Sequence, residues 1–134
     1  MMRKQKPTVM VIEDESLLLQ AISRKLELDG ITAISCSSGK QAIDCLDSSS
    51  ELPDAIWLDY QLKDMDGIEF MGHLRKKGAW AQIPVIVVSN SASEDKVHNM
   101  LALGAKRYLL KAEYRLDELI PIVKQFIAEN NVQA

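Results

Sequence analysis

No apolar run approaches the ~20 residues needed to cross a bilayer. The opening Met1-Met2-Arg3-Lys4-Gln5-Lys6-Pro7 lacks an apolar stretch before any small-residue cleavage site. Neither a membrane span nor a secretory leader is expected on that reading, and the cytoplasm is the expected compartment. Cysteine is scarce: Cys36 and Cys45 form no CxxC and lie in or beside apolar segments, so two separate buried thiols are expected in place of a disulfide or metal site. There is no excess of one charge. Lys plus Arg number 16 and Asp plus Glu 19, a net −3 that is too balanced to argue for nucleic acid or an anionic membrane surface. Neither GxGxxG nor GxxxxGK[ST] occurs, which removes dinucleotide-binding and P-loop readings. No repeat, low-complexity tract or linker interrupts the chain. Its 134 residues are expected to form one domain, 1–134, with a core of about 8–127 and short tails, the last frayed from Asn130 onward.

What is present is a βα alternation. Hydrophobic residues make up 47% of the chain and charged residues 26%, enough apolar material for a soluble core. Short β-branched runs at 8–12, 31–36, 55–58, 84–88 and 106–110 alternate with stretches that repeat apolar residues every three or four positions. The first, third and fourth runs are nearly all apolar, as in central strands covered on both faces. The first helix carries Leu18, Ile22 and Leu26 and stops near Asp29-Gly30. The second opens on Ser38-Gly39-Lys40-Gln41, which fits a capping box, with Ile43 and Leu46 inward. The third starts near Gly67 with Ile68, Met71 and Leu74 on one side, and the fourth presents Val97, Met100 and Leu101. Leu119, Ile120, Val123, Phe126 and Ile127 define the fifth, with Pro121 in its first turn. Right-handed crossovers then give an α/β, doubly wound, five-stranded parallel sheet of expected order 2-1-3-4-5.

Ligands of open α/β sheets bind beyond the carboxyl ends of the strands. Strand one ends in Glu13-Asp14, strand three in Asp59, strand four in Ser89-Asn90 and strand five in Lys111, whereas strand two ends in Cys36-Ser37-Ser38 and offers nothing obvious. Polar residues follow most strands because loops are wet, but three carboxylates, a hydroxyl and a lysine fit a site better. Carboxylates gathered in a partly buried cleft repel one another. A hard divalent ion suits such oxygen-only ligands, and Mg²⁺ is the natural choice. Glu13-Asp14-Glu15 would repel the phosphate of a flavin or dinucleotide. Asp64-Met65-Asp66-Gly67 does not fit an EF-hand loop, because Leu62 and His73 would fall at its first and twelfth positions. His73 and His98 are expected to face solvent, and Trp57 to pack below the site.

In this order and spacing the residues resemble the receiver domains of two-component response regulators, from about Thr8 to Ile127. The acidic pair after strand one, Asp59, Ser89, Tyr108 and Lys111 carry the match, with 64–67 resembling the family's loop into helix three. The resemblance implies a flavodoxin-like fold and a phosphoacceptor with no dedicated turnover activity. Asp59 would be the nucleophile that takes a phosphoryl group from a histidine kinase or histidine phosphotransfer protein. Asp14 and Asp59 would hold Mg²⁺ directly, Glu13 through water, and Gln61 by its backbone carbonyl. Lys111 and the backbone amide of Asn90 would contact the phosphoryl oxygens. Ser89 and Tyr108 would form a switch pair that alters the face made by the fourth helix, fifth strand and fifth helix, where a downstream protein or second copy would dock.

Four positions depart from the family pattern: Glu13 for aspartate, Ser89 for threonine, Lys63 for proline and Ala112 for the proline after the lysine. The Lys111–Ala112 bond is therefore expected to be trans. Gln61 and Ser91 stand where relatives tune dephosphorylation. The leading expectation is a stand-alone receiver. The alternatives are a receiver that binds partners without phosphorylation and an aspartyl-phosphate phosphohydrolase; the latter lacks a second carboxylate at position 61.

Overall fold

The computed structural model describes residues 6–133, with side chains through 130, so the opening segment 1–5 lies outside the described residues. Five strands, β1 (Thr8–Ile12), β2 (Thr32–Cys36), β3 (Ala55–Leu58), β4 (Val85–Ser89) and β5 (Arg107–Leu110), form one parallel sheet in the order β2-β1-β3-β4-β5. Six α-helices connect or follow them: α1 (Ser16–Leu28), α2 (Gly39–Ser48), α3 (Gly67–Arg75), α4 (Gly78–Ala81), α5 (Glu94–Ala102) and α6 (Leu116–Gln133).

Alternation of side chains along the strands divides the core in two. Met10, Ile12, Ile56, Leu58, Val85 and Val87 pack with α2, α3, α4 and α5 through Ala42, Leu46, Phe70, Leu74, Trp80 and Met100. On the opposite face Val9, Val11, Ala55, Trp57, Ile86 and Val88 meet Ile22 and Leu26 of α1 and Leu119, Ile120, Val123 and Ile127 of α6. Removing each large side chain of this kind from water contributes about 1.5–3 kcal/mol, which holds these short strands between the two helix layers.

Several local expectations change. The one-turn helix α4 was not visible as a periodic pattern; it forms because Trp80 is buried and Lys77 stands 4.6 Å above its ring while bonding Asp47 at 2.7 Å. Helix α6 begins at Leu116, so Pro121 lies inside it and not in its first turn; the Arg115 N–H donating to Glu118 Oε1 at 2.8 Å starts the helix a turn earlier than the apolar pattern suggests. The same helix continues to Gln133 where a frayed tail was expected. Leu101 is exposed, Cys45 and His73 are half-buried, and both cysteines are free thiols. Ser38 caps α2 through the Gln41 N–H at 3.0 Å, but Gln41 Oε1 accepts from the Ser37 N–H, so the capping box is displaced by one residue. Asp29-Gly30 ends α1 as read, with Gly30 at φ 81, a conformation that favours glycine. No cis peptide bond occurs among the described residues, and Lys111–Ala112 is trans.

Candidate functional site

Register places the site. Ile12 pairs with Leu58 and with Cys36, Leu58 with Val87, and Ser89 with Leu110, so the strand ends fall at one rim and the next residues emerge there together. The Glu13 N–H donates to the Cys36 carbonyl at 3.0 Å and the Asp59 N–H to the Ile12 carbonyl at 3.0 Å, which extends the ladder one residue beyond the strands and fixes both carboxylates. Strand β2 therefore anchors the backbone of Glu13 through the Cys36 carbonyl, where its sequence suggested nothing. Oxygens of Glu13, Asp14 and Asp59 lie within 4.8 Å of one another. Lys111 Nζ reaches them from the turn that follows β5, 2.8 Å from Glu13 Oε1 and 3.5 Å from Asp59 Oδ2.

Burial makes this grouping electrostatically uncomfortable. Glu13, Asp59 and Ser89 are 1%, 6% and 3% exposed, the buried polar residues of a core otherwise apolar among the described residues. Burial first, and then the charge of Glu13, push the Asp59 carboxyl up to about 7; Lys111 and the backbone of Gln61 pull the other way and do not cancel the rise. Burial alone would lower the Lys111 ammonium, but its hydrogen bond to Glu13 and the charges of Asp59 and Glu13 outweigh that and hold it above its ordinary value. One lysine facing three carboxylates leaves the cleft short of positive charge. Its donors are all oxygen, which suits a hard cation.

The loop after Asp59 is tied down from two sides. The Lys63 N–H, a donor that proline would lack, bonds Asp14 Oδ2 at 2.7 Å. Asp64 accepts from the Gly39 and Lys40 N–H groups at the start of α2, at 3.0 and 2.9 Å. Burial is the largest single influence and raises the Asp64 carboxyl, but the backbone amides of Lys40, Gly39 and Asp64 together outweigh it and keep it below its ordinary value. Asp66 caps α3 through the Glu69 N–H at 2.9 Å, so both aspartates of the 64–67 segment serve as helix-terminus acceptors, which accords with setting the calcium loop aside. Asp64→Ala is expected to lower stability by about 1 kcal/mol, the usual loss on removing a helix cap, read from urea unfolding at pH 7. Asp64→Asn should restore part of it; equal stabilities for all three proteins would contradict the role.

The remaining expected residues lie around this centre. Gln61 is exposed and pairs with Asp66 in an isolated antiparallel bridge, and Asn90 is exposed at the start of the β4–α5 loop. The Ser89 hydroxyl oxygen accepts from the Ser91 N–H at 3.3 Å. Tyr108 is half-buried, and its hydroxyl donates to the Ser91 carbonyl at 2.7 Å. Its ring lies 6.2 Å from that of Tyr60. Lys96, which sequence reasoning did not single out, bonds Ser91 Oγ at 3.2 Å and stands 5.1 Å from the Tyr60 ring. The hydroxyl and aromatic residues expected to act together thus share Ser91 as a hydrogen-bond partner.

A parallel sheet of order 2-1-3-4-5 with helices on both faces and polar residues at its carboxyl rim defines a flavodoxin-like doubly wound domain. Residues 9–124 match the family model for the response regulator receiver domain, and the chain belongs to that family. Phosphorylation and magnesium are general features of these domains of two-component signalling. The transcriptional regulatory protein KdpE of Mycobacterium tuberculosis is 35% identical over 127 residues, covering 94% of this chain and 53% of the relative. The chain thus spans about half the length of that KdpE. The two-component response regulator ORR8 of Oryza sativa is 28% identical over 121 residues, covering 90% of this chain and 98% of the relative. The solved receiver domain of Francisella response regulator 1452 superposes with a TM-score of 0.81 at 30% identity, covering 92% of this chain and 98% of that one. Among the described residues no helix is long and apolar enough to cross a membrane.

Proposed function

We propose that the chain is a cytoplasmic receiver that accepts a phosphoryl group on Asp59 and signals by changing what it binds. The observation that carries this reading is the single cluster of Glu13, Asp14 and Asp59 with Lys111 at 2.8 and 3.5 Å from two of them. Asp14, Asp59 and the Gln61 carbonyl would hold Mg²⁺, with Glu13 acting through water; the metal supplies positive charge that Lys111 alone does not. A carboxylate oxygen of Asp59 attacks phosphorus, the phosphorus–nitrogen bond of a phosphohistidine breaks, and the electron pair leaves with the imidazole. Lys111 and the Asn90 amide stabilise charge on the phosphoryl oxygens.

Ser89 would exchange its bond with the Ser91 amide for one to the new phosphate. That change reaches Tyr108 through Ser91 and alters α5, β5 and α6, where a downstream protein or second copy docks. The phosphodonor is a histidine kinase or phosphotransfer protein, and the domain is not a dedicated enzyme.

Incubation with acetyl phosphate and Mg²⁺, followed by intact-mass measurement, tests the proposal. Wild type is expected to gain one HPO₃, while Asp59→Asn and wild type in EDTA gain none. No adduct on wild type would favour partner binding without phosphorylation. Sustained turnover of small phosphomonoesters would favour a phosphohydrolase.

A further inference from the structure

The loop after Asp59 offers the cleft a main-chain donor. The Lys63 N–H donates to Asp14 Oδ2 at 2.7 Å, at the short end of the range for a donor on an ionised carboxylate. Asp14 is half-buried and shares the cleft with Glu13 and Asp59, oxygens of the three lying within 4.8 Å of one another. Repulsion from those neighbours favours an Asp14 carboxylate turned toward solvent. The amide opposes this: bonding Oδ2 fixes the plane of the carboxylate and leaves its second oxygen for a cation. The donor is itself held in place. Asp64, the next residue, accepts from the Gly39 and Lys40 N–H groups, while the Leu62 N–H donates to the Met65 carbonyl at 3.1 Å and Gln61 is bridged to Asp66. The Lys63 N–H therefore stands on a loop tied on both sides of it.

What Lys63 gives the cleft is a group that every residue except proline carries. We infer that this N–H is a positioning group: it holds Asp14 in the orientation in which the cleft takes up Mg²⁺, so that the choice between proline and any other residue at position 63 sets how tightly the cation is held. This rests on the reading of the cleft as a Mg²⁺ site. It needs no phosphoryl transfer to Asp59. Removing a hydrogen-bond partner of a ligating side chain changes metal affinity by about 10–100-fold, and one N–H on one of several ligands belongs at the lower end of that range.

Calorimetric titration of the full chain with MgCl₂, in the absence of any phosphodonor, tests it. Lys63→Pro is expected to bind Mg²⁺ about tenfold more weakly than wild type, and Lys63→Ala, which keeps the N–H and loses the ammonium, to stay within about threefold. Hydrogen exchange of the Lys63 amide in EDTA gives a second measurement, which keeps the test available where Lys63→Pro does not fold. Although Lys63 is exposed, its amide should exchange about tenfold more slowly in wild type than in Asp14→Ala, where the acceptor is gone. A role confined to the loop's own structure would leave that rate unmoved. Equal affinities for Lys63→Pro and wild type, as large a loss in Lys63→Ala as in Lys63→Pro, or equal exchange rates in Asp14→Ala and wild type would each overturn the inference. So would tighter binding by Lys63→Pro, the sign of an amide that competes with the cation for Oδ2. Wild type that takes up no Mg²⁺ while its Lys63 amide is protected would overturn the reading of the cleft as a Mg²⁺ site, and the inference with it.

Discussion

Asp59→Asn is expected to make the metal-free protein more stable above pH 7, by of order 2 kcal/mol. The carboxyl stands at about 7 in the folded chain against an ordinary value of 3.8, because burial and the Glu13 charge oppose its ionisation. Below that ordinary value both folded and unfolded chains hold the proton, and Asp59 has no pH-dependent effect. As pH rises from about 4 to about 7 the unfolded chain releases its proton while the folded chain keeps it, so unfolding is favoured and stability falls across that window. Asparagine has no proton to release. The advantage of the variant should therefore be near zero at pH 4, grow through this interval and level off above it.

Urea unfolding in EDTA at several pH values measures the difference, and Mg²⁺ supplies the converse arm. A cation that binds the folded carboxylates should raise wild type by RT ln(1 + [Mg²⁺]/Kd) and leave Asp59→Asn nearly unmoved. A variant no more stable than wild type above pH 7 in EDTA would show that Asp59 is not strained by its neighbours.

Much of this cleft was legible because parallel strands end at a common rim. A residue following each apolar run must then lie beside its counterparts, and Glu13, Asp59, Ser89 and Lys111 needed only the strand order and right-handed crossovers to be brought together. Contacts made by main-chain groups were not legible in the same way. The Lys63 amide on Asp14 and the Cys36 carbonyl under Glu13 depend on backbone positions, to which side-chain identity gives little clue. Helix α4 is four residues long, too short for any 3.6-residue period, and is held by tertiary burial of Trp80. Pro121 was misplaced because the start of α6 is set by Arg115 and Glu118, polar residues that carry no periodic signal. Leu101 was read inward on spacing from Val97 and Met100, yet at the end of a nine-residue helix it is 44% exposed while Leu103 packs on the core instead.

Lys111→Met should act in the opposite direction to Asp59→Asn. Glu13 is 2% exposed in its side chain, and Lys111 Nζ at 2.8 Å is its counter-charge. Removing one partner of a buried pair typically costs 3–5 kcal/mol because the other charge is left uncompensated. The Lys111 side chain is 17% exposed, and screening by water places the expected loss at about 2–3 kcal/mol near pH 7.5 in EDTA.

Two controls separate this electrostatic account from a simple packing defect. Adding Mg²⁺ returns positive charge to the cleft and should recover part of the loss, which a packing defect would not show. Combining Lys111→Met with Glu13→Gln removes both charges, and the double variant should be more stable than Lys111→Met alone, with a coupling of about 2 kcal/mol in the double-mutant cycle. Lowering pH toward 5 should narrow the gap between Lys111→Met and wild type as well, since Asp59 then carries a proton in both proteins and one repelling charge is gone. If Lys111→Met stays within 0.5 kcal/mol of wild type in EDTA, about the ordinary range for a surface substitution, the lysine does not neutralise the cleft, and the charge balance that the proposed phosphoryl entry requires must come from elsewhere.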